Sequence, residues 1–293
     1  MPMVPDSEVF LLQACESAYA VETNGDLQLP LSDVKTIGLI NTVQGFATGS
    51  RYIDAAFVGT VPNGVLLAFR GTLPPGHHNA ENEHHAKQIA SDWLHDCEAA
   101  LVIGDKLPGR VHQGFLGALD ALWPSIWAAV AKRLAPATRL YICGHSKGGA
   151  VAHLAAARFA LSTIVHGSDI TVRTFEGAHS GDQAFVQGYR RMVSDVTRYE
   201  CRDDLIPHLP PSLMFRHLFQ EADFFKSLMA IDNRVDYAPA GDLKFLDWNN
   251  TIQEQTVILS TERLAHMAKA IAGDFKAIVA SHSLANWFAD PVQ

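Results

Sequence analysis

The pentapeptide Gly-His-Ser-Lys-Gly at residues 144–148 is the feature that most constrains how this chain can fold. It directly follows the apolar run 140–143 and directly precedes the small-residue pattern 149–157. This order predicts a buried strand, a sharp turn and a helix, and the absence of side chains at Gly144 and Gly148 avoids collisions inside the turn. The turn pushes the hydroxyl of Ser146 out to where a substrate can reach it. We therefore interpret Ser146 as a nucleophile, with His145 completing the turn, rather than as a serine in a glycine-rich loop.

Strand-like and helical patterns alternate through the middle of the chain. Strands are predicted at about residues 52–58, 65–69, 140–144, 171–175, 196–201 and 234–237, and helices at about 7–20, 34–46, 114–134, 147–161, 182–192 and 261–281. Such alternation predicts an α/β fold with a mostly parallel central sheet and helices on both faces. The carboxyl ends of parallel strands share one edge of the sheet, so catalytic loops are expected there.

The size of the chain favours one domain over residues 1–293. With 293 residues, of which 48% are hydrophobic, the chain can bury one substantial core. One segment has an unusual composition, residues 73–90, in which Pro-Pro-Gly is followed by four histidines. We predict a lid or mobile surface excursion for this segment.

Charge and cysteine content exclude several classes of partner and modification. The formal net charge of -8 gives no long-range attraction for nucleic acid or for anionic lipid surfaces. The four cysteines have no paired spacing, and we interpret all of them as free thiols: Cys15, Cys97, Cys143 and Cys201. The sequence also shows neither a cleavable signal pattern at its start nor an apolar run of the ~18 residues that a membrane span needs. A protein without a transmembrane segment is expected, either cytoplasmic or secreted without a cleavable N-terminal signal.

A serine nucleophile needs two further side chains. An imidazole must take the proton of the hydroxyl, and a carboxylate must hold that imidazole in the right tautomer. In hydrolases with this turn, the acid and then the histidine follow the serine along the chain. Asp203 and Asp204 both follow the strand-like run 196–201 and precede the proline-rich segment 207–211, so position alone leaves the acid open between them.

Several blocks together resemble the class 3 lipases, the family that includes the fungal triacylglycerol lipases. Besides GHSKGG at 144–149 they are LAFRGT at 67–72, DWLHD at 92–96, VHQGF at 111–115, FEGA at 175–178 with GD at 181–182, and DLIPHLPP at 204–211. The blocks come in the family's order from about residue 65 onward. The resemblance implies an α/β-hydrolase fold and a carboxylic ester hydrolase, a triacylglycerol lipase or esterase, that works without a cofactor or a metal ion on a lipid or small ester substrate.

The resemblance also assigns the remaining members of the triad. It makes Asp204 the acid and leaves Asp203 as a flanking residue. Four histidines follow the acid, and the family's base lies near the C-terminus shortly before aromatic residues, which here indicates His282. His208 is expected to have a structural role and His266 to lie on the surface or in the core, while His217 is the weaker rival for the base.

Two donors are expected to stabilise the oxyanion that forms when Ser146 attacks a carbonyl. The backbone N–H of Lys147 follows the nucleophile at the positive end of a helix. By resemblance, Thr72 supplies the other donor. One such donor contributes about 3 kcal/mol in comparable sites.

The chain departs from the family pattern at three places. Lys147 replaces a common leucine and would put a cation near the mouth of the site, and His179-Ser180 replaces Pro-Arg and is given no catalytic role. The excursion 73–90 is long and polar, so we expect only transient contact with a lipid interface and weak interfacial activation. Its histidines and glutamates at 77–85 match no zinc spacing, and a solvated lid is the preferred interpretation. The alternatives are a phospholipase A1, to which Lys147 would attract an anionic head group, and a catalytically silent α/β-hydrolase fold that binds a ligand.

Overall fold

The computed structural model of the protein describes residues 2–49, 54–72, 100–136, 138–212, 215 and 236–288. The strands are β1 (Gln44–Thr48), β2 (Asp54–Val61), β3 (Gly64–Phe69), β4 (Leu101–Val102), β5 (Val111–His112), β6 (Arg139–His145), β7 (Ile170–Phe175), β8 (Gly181–Asp182), β9 (Asp195–Cys201), β10 (Tyr237–Ala238), β11 (Asp242–Leu246) and β12 (Ile252–Glu254). The α-helices are α1 (Val9–Ser17), α2 (Leu31–Ile37), α3 (Gln113–Arg133), α4 (Lys147–Ala160), α5 (Gln183–Met192), α6 (Val257–Gly273), α7 (Phe275–Ser281) and α8 (Ala285–Phe288). Short 3₁₀ turns lie at Asp6–Glu8, Ala18–Ala20, Gly167–Asp169 and Ile206–His208.

A mixed sheet forms the centre of the described structure. Its strand order is β1-β2-β3-β6-β7-β9-β11-β12. The five strands from β3 to β11 run parallel to one another, whereas β1, β2 and β12 pair antiparallel at the two edges. The predicted α/β fold with helices on both faces of a sheet is confirmed, and the parallel pairing is concentrated in the middle. The carboxyl ends of β3, β6, β7 and β9 therefore share one edge.

Both faces of the sheet are buried under helices. On β3, Val65 and Leu67 point into the core that α3 and α4 cover, while Leu66 and Ala68 point into the core that α1 covers. All six residues of β3 are buried, as a strand covered on both sides requires. The two hydrophobic layers hold the strands in place on either side, and the loops at the carboxyl edge start from this rigid base.

Helix α3 carries one of these layers. Within the described residues it is the one helix that is long and apolar enough, by length and composition, to cross a membrane. Seven of its residues are buried, among them Phe115, Leu119 and Ile126, and they belong to the protein's own core. Core helices of soluble proteins meet the same criteria of length and composition, so this finding is weak evidence for a membrane span.

The predicted helix 34–46 is wrong in its second half. Helix α2 ends at Ile37, where Gly38 adopts a left-handed conformation with φ 75° and closes the helix with bonds from its N–H to Val34 and Lys35. Residues 44–48 form the edge strand β1 instead, paired with β2. Gly38 was a sequence signal for the end of the helix, but the helical pattern continues past it and led to the wrong prediction.

Two predictions near the C-terminus also need correction. The predicted helix 261–281 is two helices, because the side chain of Asp274 caps the start of α7 by accepting a hydrogen bond from Ala277 N at 3.0 Å. The predicted strand at 234–237 appears only as the two-residue β10, in a small second sheet with β8, and residues 234 and 235 lie outside the described part of the chain. Strands β11 and β12 were not predicted.

Candidate active site

The segment between β6 and α4 forms the sharp turn that the sequence predicts. Ser146 is the only residue between the two elements and has φ 57° and ψ −129°, a conformation that costs a non-glycine residue about 1–3 kcal/mol. The turn is tight, because a Cβ at Gly144 would lie 2.2 Å from the carbonyl oxygen of Gly148. Hydrogen bonds from Ser146 N to Phe175 O and from Gly149 N to Ser146 O, both 3.0 Å long, hold the strained backbone. Glycine is thus required on the two sides of the serine.

Asp204 and His282 meet although 78 residues separate them in sequence. Asp204 lies in the turn after β9 and His282 at the C-terminal end of α7, and Nδ1 of the imidazole lies 2.8 Å from Oδ2 of the carboxylate. Oδ1 accepts a second hydrogen bond from Ile206 N at 2.9 Å. Both side chains are buried. Because a carboxylate only accepts, His282 donates from Nδ1, which leaves Nε2 as the basic atom.

The electrostatic environment of Asp204 has opposing components. Burial raises the pKa of its carboxyl group well above the ordinary value, and the hydrogen bond from Ile206 N and the charge of Arg263 offset this rise only in part. The carboxylate therefore depends on these fixed donors and charges to stay ionised. Buried groups with a shifted pKa are common at functional sites.

The chain leaving β3 passes directly against the turn that holds Ser146. A Cβ at Gly71 would lie 2.9 Å from Ser146 Cβ and 2.9 Å from the carbonyl oxygen of His145. The approach leaves room only for a glycine at position 71, and the next residue in sequence, Thr72, is partly buried. Lys147 begins helix α4 on the other side of the serine. Both predicted oxyanion donors therefore belong to segments that adjoin Ser146.

The side chain of Lys147 does not act as the free cation that the sequence suggested. Its Nζ lies 2.6 Å from Oδ1 of Asp54 on β2, and the two side chains are only 12% and 14% exposed. Asp54 thus neutralises the ammonium group within the protein. This contact does not support the prediction of a free cation at the mouth of the site. Lys147 is therefore not available to attract an anionic head group.

Sequence reasoning missed a buried network behind the nucleophile. His145 Nε2 lies 2.8 Å from Oε2 of Glu176, Trp287 Nε1 donates to Oε1 of the same carboxylate at 2.8 Å, and the hydroxyl of Tyr19 lies 2.6 Å from His145 Nδ1. The rings of His145 and His282 are 4.7 Å apart and tilted by 30°. Glu176 has φ 53°, which a glycine would adopt without strain. An acidic residue in the FEGA block directly after a buried strand was the available signal.

In the described part of the chain, one group of three side chains has possible ligand atoms close enough together to hold a metal ion, and it belongs to this network. Atoms of His145, Glu176 and His282 that could bind a metal all lie within 4.8 Å of one another. Each of these side chains already has a hydrogen-bond partner, either inside the group or in Tyr19, Trp287 or Asp204. The hydrogen bonds account for the cluster without a cation.

The other histidines that the sequence analysis discussed have different surroundings. His208 stacks on Phe215 with ring centroids 3.9 Å apart, in keeping with its expected structural role, and His266 stacks on Trp248 at 3.6 Å with its side chain 42% exposed. His179 bonds to the carbonyl oxygen of Pro210 at 2.8 Å. Cys15, Cys143 and Cys201 are buried free thiols, as predicted. Predictions on His217, Cys97, the DWLHD block, the lid 73–90 and the histidines at 77–85 lie outside the described residues.

Comparison with known proteins identifies related sequences. A model of the family described as Lipase (class 3) matches residues 66–214. A curated protein, secreted mono- and diacylglycerol lipase 1 of Fusarium solani, is 33% identical over 185 residues, which are 61% of this chain and 50% of that protein. The chain therefore spans about half the length of this curated relative.

Comparison with solved structures supports the fold. The Rhizomucor miehei lipase in its propeptide complex superposes with a TM-score of 0.65 at 18% identity, over 99% of this chain and 84% of that chain. A triacylglycerol lipase described as having a serine protease triad at its catalytic centre superposes with a TM-score of 0.63 at 17% identity, over 97% of this chain and 92% of that one. At these identities the likeness concerns the fold, and the predicted α/β-hydrolase fold is confirmed.

Proposed function

The chain belongs to the class 3 lipase family, and on this basis we propose that it is a serine hydrolase that cleaves carboxylic esters of glycerol. The observation that carries the proposal is the 2.8 Å contact between His282 Nδ1 and Asp204 Oδ2, buried close to a strained serine. His145, the neighbour of that serine, lies ring to ring with His282. Acid, base and nucleophile thus belong to one region of the molecule, which is what acyl transfer by a triad requires.

The proposed reaction has two halves. The hydroxyl oxygen of Ser146 attacks the ester carbonyl carbon while Nε2 of His282 takes the hydroxyl proton, and the backbone N–H groups of Lys147 and Thr72 stabilise the oxyanion. The tetrahedral intermediate then expels the alcohol, which leaves with the proton from His282. Water attacks the acyl-enzyme next, His282 takes its proton and returns it to Ser146, and the carboxylic acid is released. Asp204 holds the imidazole in place throughout and is not protonated.

Acylglycerols are the substrates that the comparison favours. The Fusarium relative is by name a secreted lipase of mono- and diacylglycerols, which also supports the secreted one of the two predicted locations. The phospholipase A1 alternative depended on a free cation at Lys147, and the contact with Asp54 removes that argument. The silent-fold alternative is disfavoured by the Asp204–His282 pair, because a binding protein has no need of a buried, oriented imidazole beside a serine.

The decisive test combines active-site labelling with a substrate panel. A fluorophosphonate probe should label the wild-type protein and not Ser146→Ala. Hydrolysis of nitrophenyl butyrate, a diacylglycerol, a triacylglycerol and phosphatidylcholine should be fastest for the glycerides, and Ser146→Ala should reduce turnover on the order of a million-fold. Ser32→Ala is the matched control, because Ser32 is exposed and its hydroxyl bonds only to its neighbour Asp33.

Two results would overturn parts of the proposal. Labelling and hydrolysis that survive in Ser146→Ala would remove the serine from the mechanism. Hydrolysis of phosphatidylcholine that exceeds that of every glyceride would refute the substrate class and leave the mechanism standing.

A further inference from the structure

A cavity of about 140 Å³, with both charged and apolar side chains in its wall, lies outside the triad. Strand β9 contributes Arg198 and Glu200 to its wall, the turn after Asp204 contributes His208, and helix α6 contributes Arg263. Neither Ser146 nor His282 lines it. We call it the arginine cavity. Its volume is far more than one water molecule needs.

The charges around the arginine cavity do not balance. Among the described residues that line it, Glu200 is the only carboxylate and faces two guanidinium groups. Burial lowers the pKa of His179 to about 4 and lowers that of His208 well below its ordinary value, so both imidazoles are neutral at pH 7. His208 Nε2 lies 3.2 Å from a nitrogen of Arg263, which makes it a hydrogen-bond acceptor. The described residues of the lining therefore carry one net positive charge.

Carboxylates beyond the lining do not remove this excess. Asp242 attracts Arg198 electrostatically, but its side chain is 70% exposed and pairs with Arg190 at 3.1 Å. Asp236 acts on His179 and is not a wall residue. A buried charge without a counter-ion costs several kcal/mol, so an arginine pair with one carboxylate is a costly arrangement unless an anion joins it.

Among the residues that the structure describes, both guanidinium groups also have donors without an acceptor. Arg263 bonds to Glu200 through one terminal nitrogen and stacks over the Phe245 ring at 4.5 Å, while its Nε has no partner and its side chain is 9% exposed. Arg198 donates to Gln255 at 3.2 Å, and its Nη1 has no partner. Its Nε lies 3.2 Å from Glu200 but at an angle that makes no hydrogen bond. Buried donors left without acceptors destabilise the folded protein.

We propose that the arginine cavity binds a small oxyanion, held by the guanidinium groups of Arg198 and Arg263. The planar fork of a guanidinium matches the oxygen atoms of phosphate, sulfate or a carboxylate, and two forks facing one cavity bind such a group from two sides. The stacking on Phe245 and the contact with Glu200 hold Arg263 in place before the anion arrives. Ser212 is also in the wall, and its hydroxyl, which accepts from Phe215 N at 3.5 Å, offers a neutral donor for a remaining oxygen. The site does not use Ser146, so it stands whether or not the proposed esterase activity is found.

The first test is thermal unfolding of the full chain at constant ionic strength, with chloride replaced by phosphate, sulfate or acetate. An oxyanion present at tenfold its dissociation constant should raise the Tm of the wild type by about 2 °C or more. Arg198→Gln should lose this increment, because it removes both unused donors of that side chain. Arg190→Gln, a matched substitution at a 78% exposed arginine, should keep it. The order of the three anions identifies tetrahedral anions or carboxylates as the preferred ligand.

The second test needs no variant and covers the case in which Arg198→Gln does not fold. Crystals of the wild-type protein soaked in selenate should show an anomalous peak between Arg198 and Arg263 at the selenium absorption edge. The proposal is overturned by equal Tm increments in wild type, Arg190→Gln and Arg198→Gln, which would indicate general salt effects, or by the absence of the peak.

Discussion

Two buried glutamates on neighbouring strands show how differently this fold can treat a carboxylate. Glu176, directly after β7, has each oxygen paired with one donor, His145 Nε2 or Trp287 Nε1, both at 2.8 Å. Glu200, in β9, faces Arg198 and Arg263, and donors of both arginines remain without a partner. Around the nucleophile the polar groups satisfy one another, whereas around the arginine cavity donors are in excess.

We attribute the difference to function: the region around the nucleophile is built for catalysis, and the arginine cavity has donors available for a ligand. A region whose internal hydrogen bonds are complete holds its side chains still, which catalysis needs at the moment of reaction. A region with excess donors reaches its lowest free energy only when a further acceptor binds.

After Ser146→Ala, the largest effect is expected for Asp204→Asn. The amide cannot hold the imidazole in the required tautomer or stabilise its protonated form, so kcat should fall about 10⁴-fold, as in other triads. Initial rates on a soluble nitrophenyl ester give the measurement.

Asp203→Asn is the matched control for this change. Asp203 precedes Asp204 and accepts a hydrogen bond from Trp248 Nε1 at 3.1 Å, outside the triad. Its replacement should leave kcat within about threefold of wild type, since surface and flanking changes are usually mild. Comparable losses in the two variants would show that the acid has been misassigned and that the region around the nucleophile is not an ordered triad.

Glu200→Gln should have the next largest effect, on stability. It leaves two buried guanidinium groups without a counter-ion, and the free energy of unfolding in urea should fall by about 3–5 kcal/mol. Asp242→Asn, which breaks an exposed pair with Arg190, should cost less than about 1 kcal/mol.

Sulfate extends this measurement to the arginine cavity. If an anion can take the place of the lost carboxylate, sulfate should restore more stability to Glu200→Gln than it adds to the wild type at the same ionic strength. Equal gains in both proteins would mean that sulfate does not take the place of the lost carboxylate and that the two regions do not differ as described.

Substitutions of Glu176 separate its hydrogen bonds from its backbone strain. Glu176→Ala removes the acceptor of His145 and Trp287 and keeps a side chain at φ 53°, so we expect a loss of about 3 kcal/mol in unfolding free energy. Glu176→Gly removes the same acceptor and relieves the strain, and should be more stable than the alanine variant by roughly 1 kcal/mol. Identical stabilities for the two variants would show that the strain is negligible, and two fully stable variants would show that the network contributes nothing.

Local pattern and motif order revealed most of the fold and the principal parts of the site. The strand before Ser146, the helix after it and the alternation along the middle of the chain follow from side-chain periodicity, and each of them appears in the structure. The assignment of Asp204 over Asp203 came from the family resemblance, since both residues follow the same strand. The structure has Asp204 beside His282 and Asp203 beside Trp248.

What the sequence could not reveal depends on contacts between distant segments. Tyr19 and His145 are 126 residues apart, and Glu176 and Trp287 are 111 apart, so no periodic pattern links them. The charge of Lys147 looked free because its partner, Asp54, lies two strands away along the sheet. Strand β12 was missed because it is a short edge strand of three residues without a buried position, and β11 was missed because its alternating pattern covers only five residues.

The smallest expected effect concerns acid sensitivity at the arginine cavity. Burial lowers the pKa of His179 to about 4, below the value of about 6.5 expected in the unfolded chain. Between these two pKa values the unfolded state binds a proton at this histidine and the folded state does not. The contribution of His179 to the free energy of unfolding is therefore largest above pH 6.5 and is lost as the pH falls toward 4. Between pH 6.5 and 5 this histidine should account for about 2 kcal/mol of lost unfolding free energy.

Urea titrations at the two pH values should show that His179→Gln loses correspondingly less stability than wild type, whereas His166→Gln, at an exposed position, keeps the wild-type difference. An unchanged pH difference in His179→Gln would mean that the imidazole is protonated in the folded protein, and the positive charge of the cavity would then be larger than one.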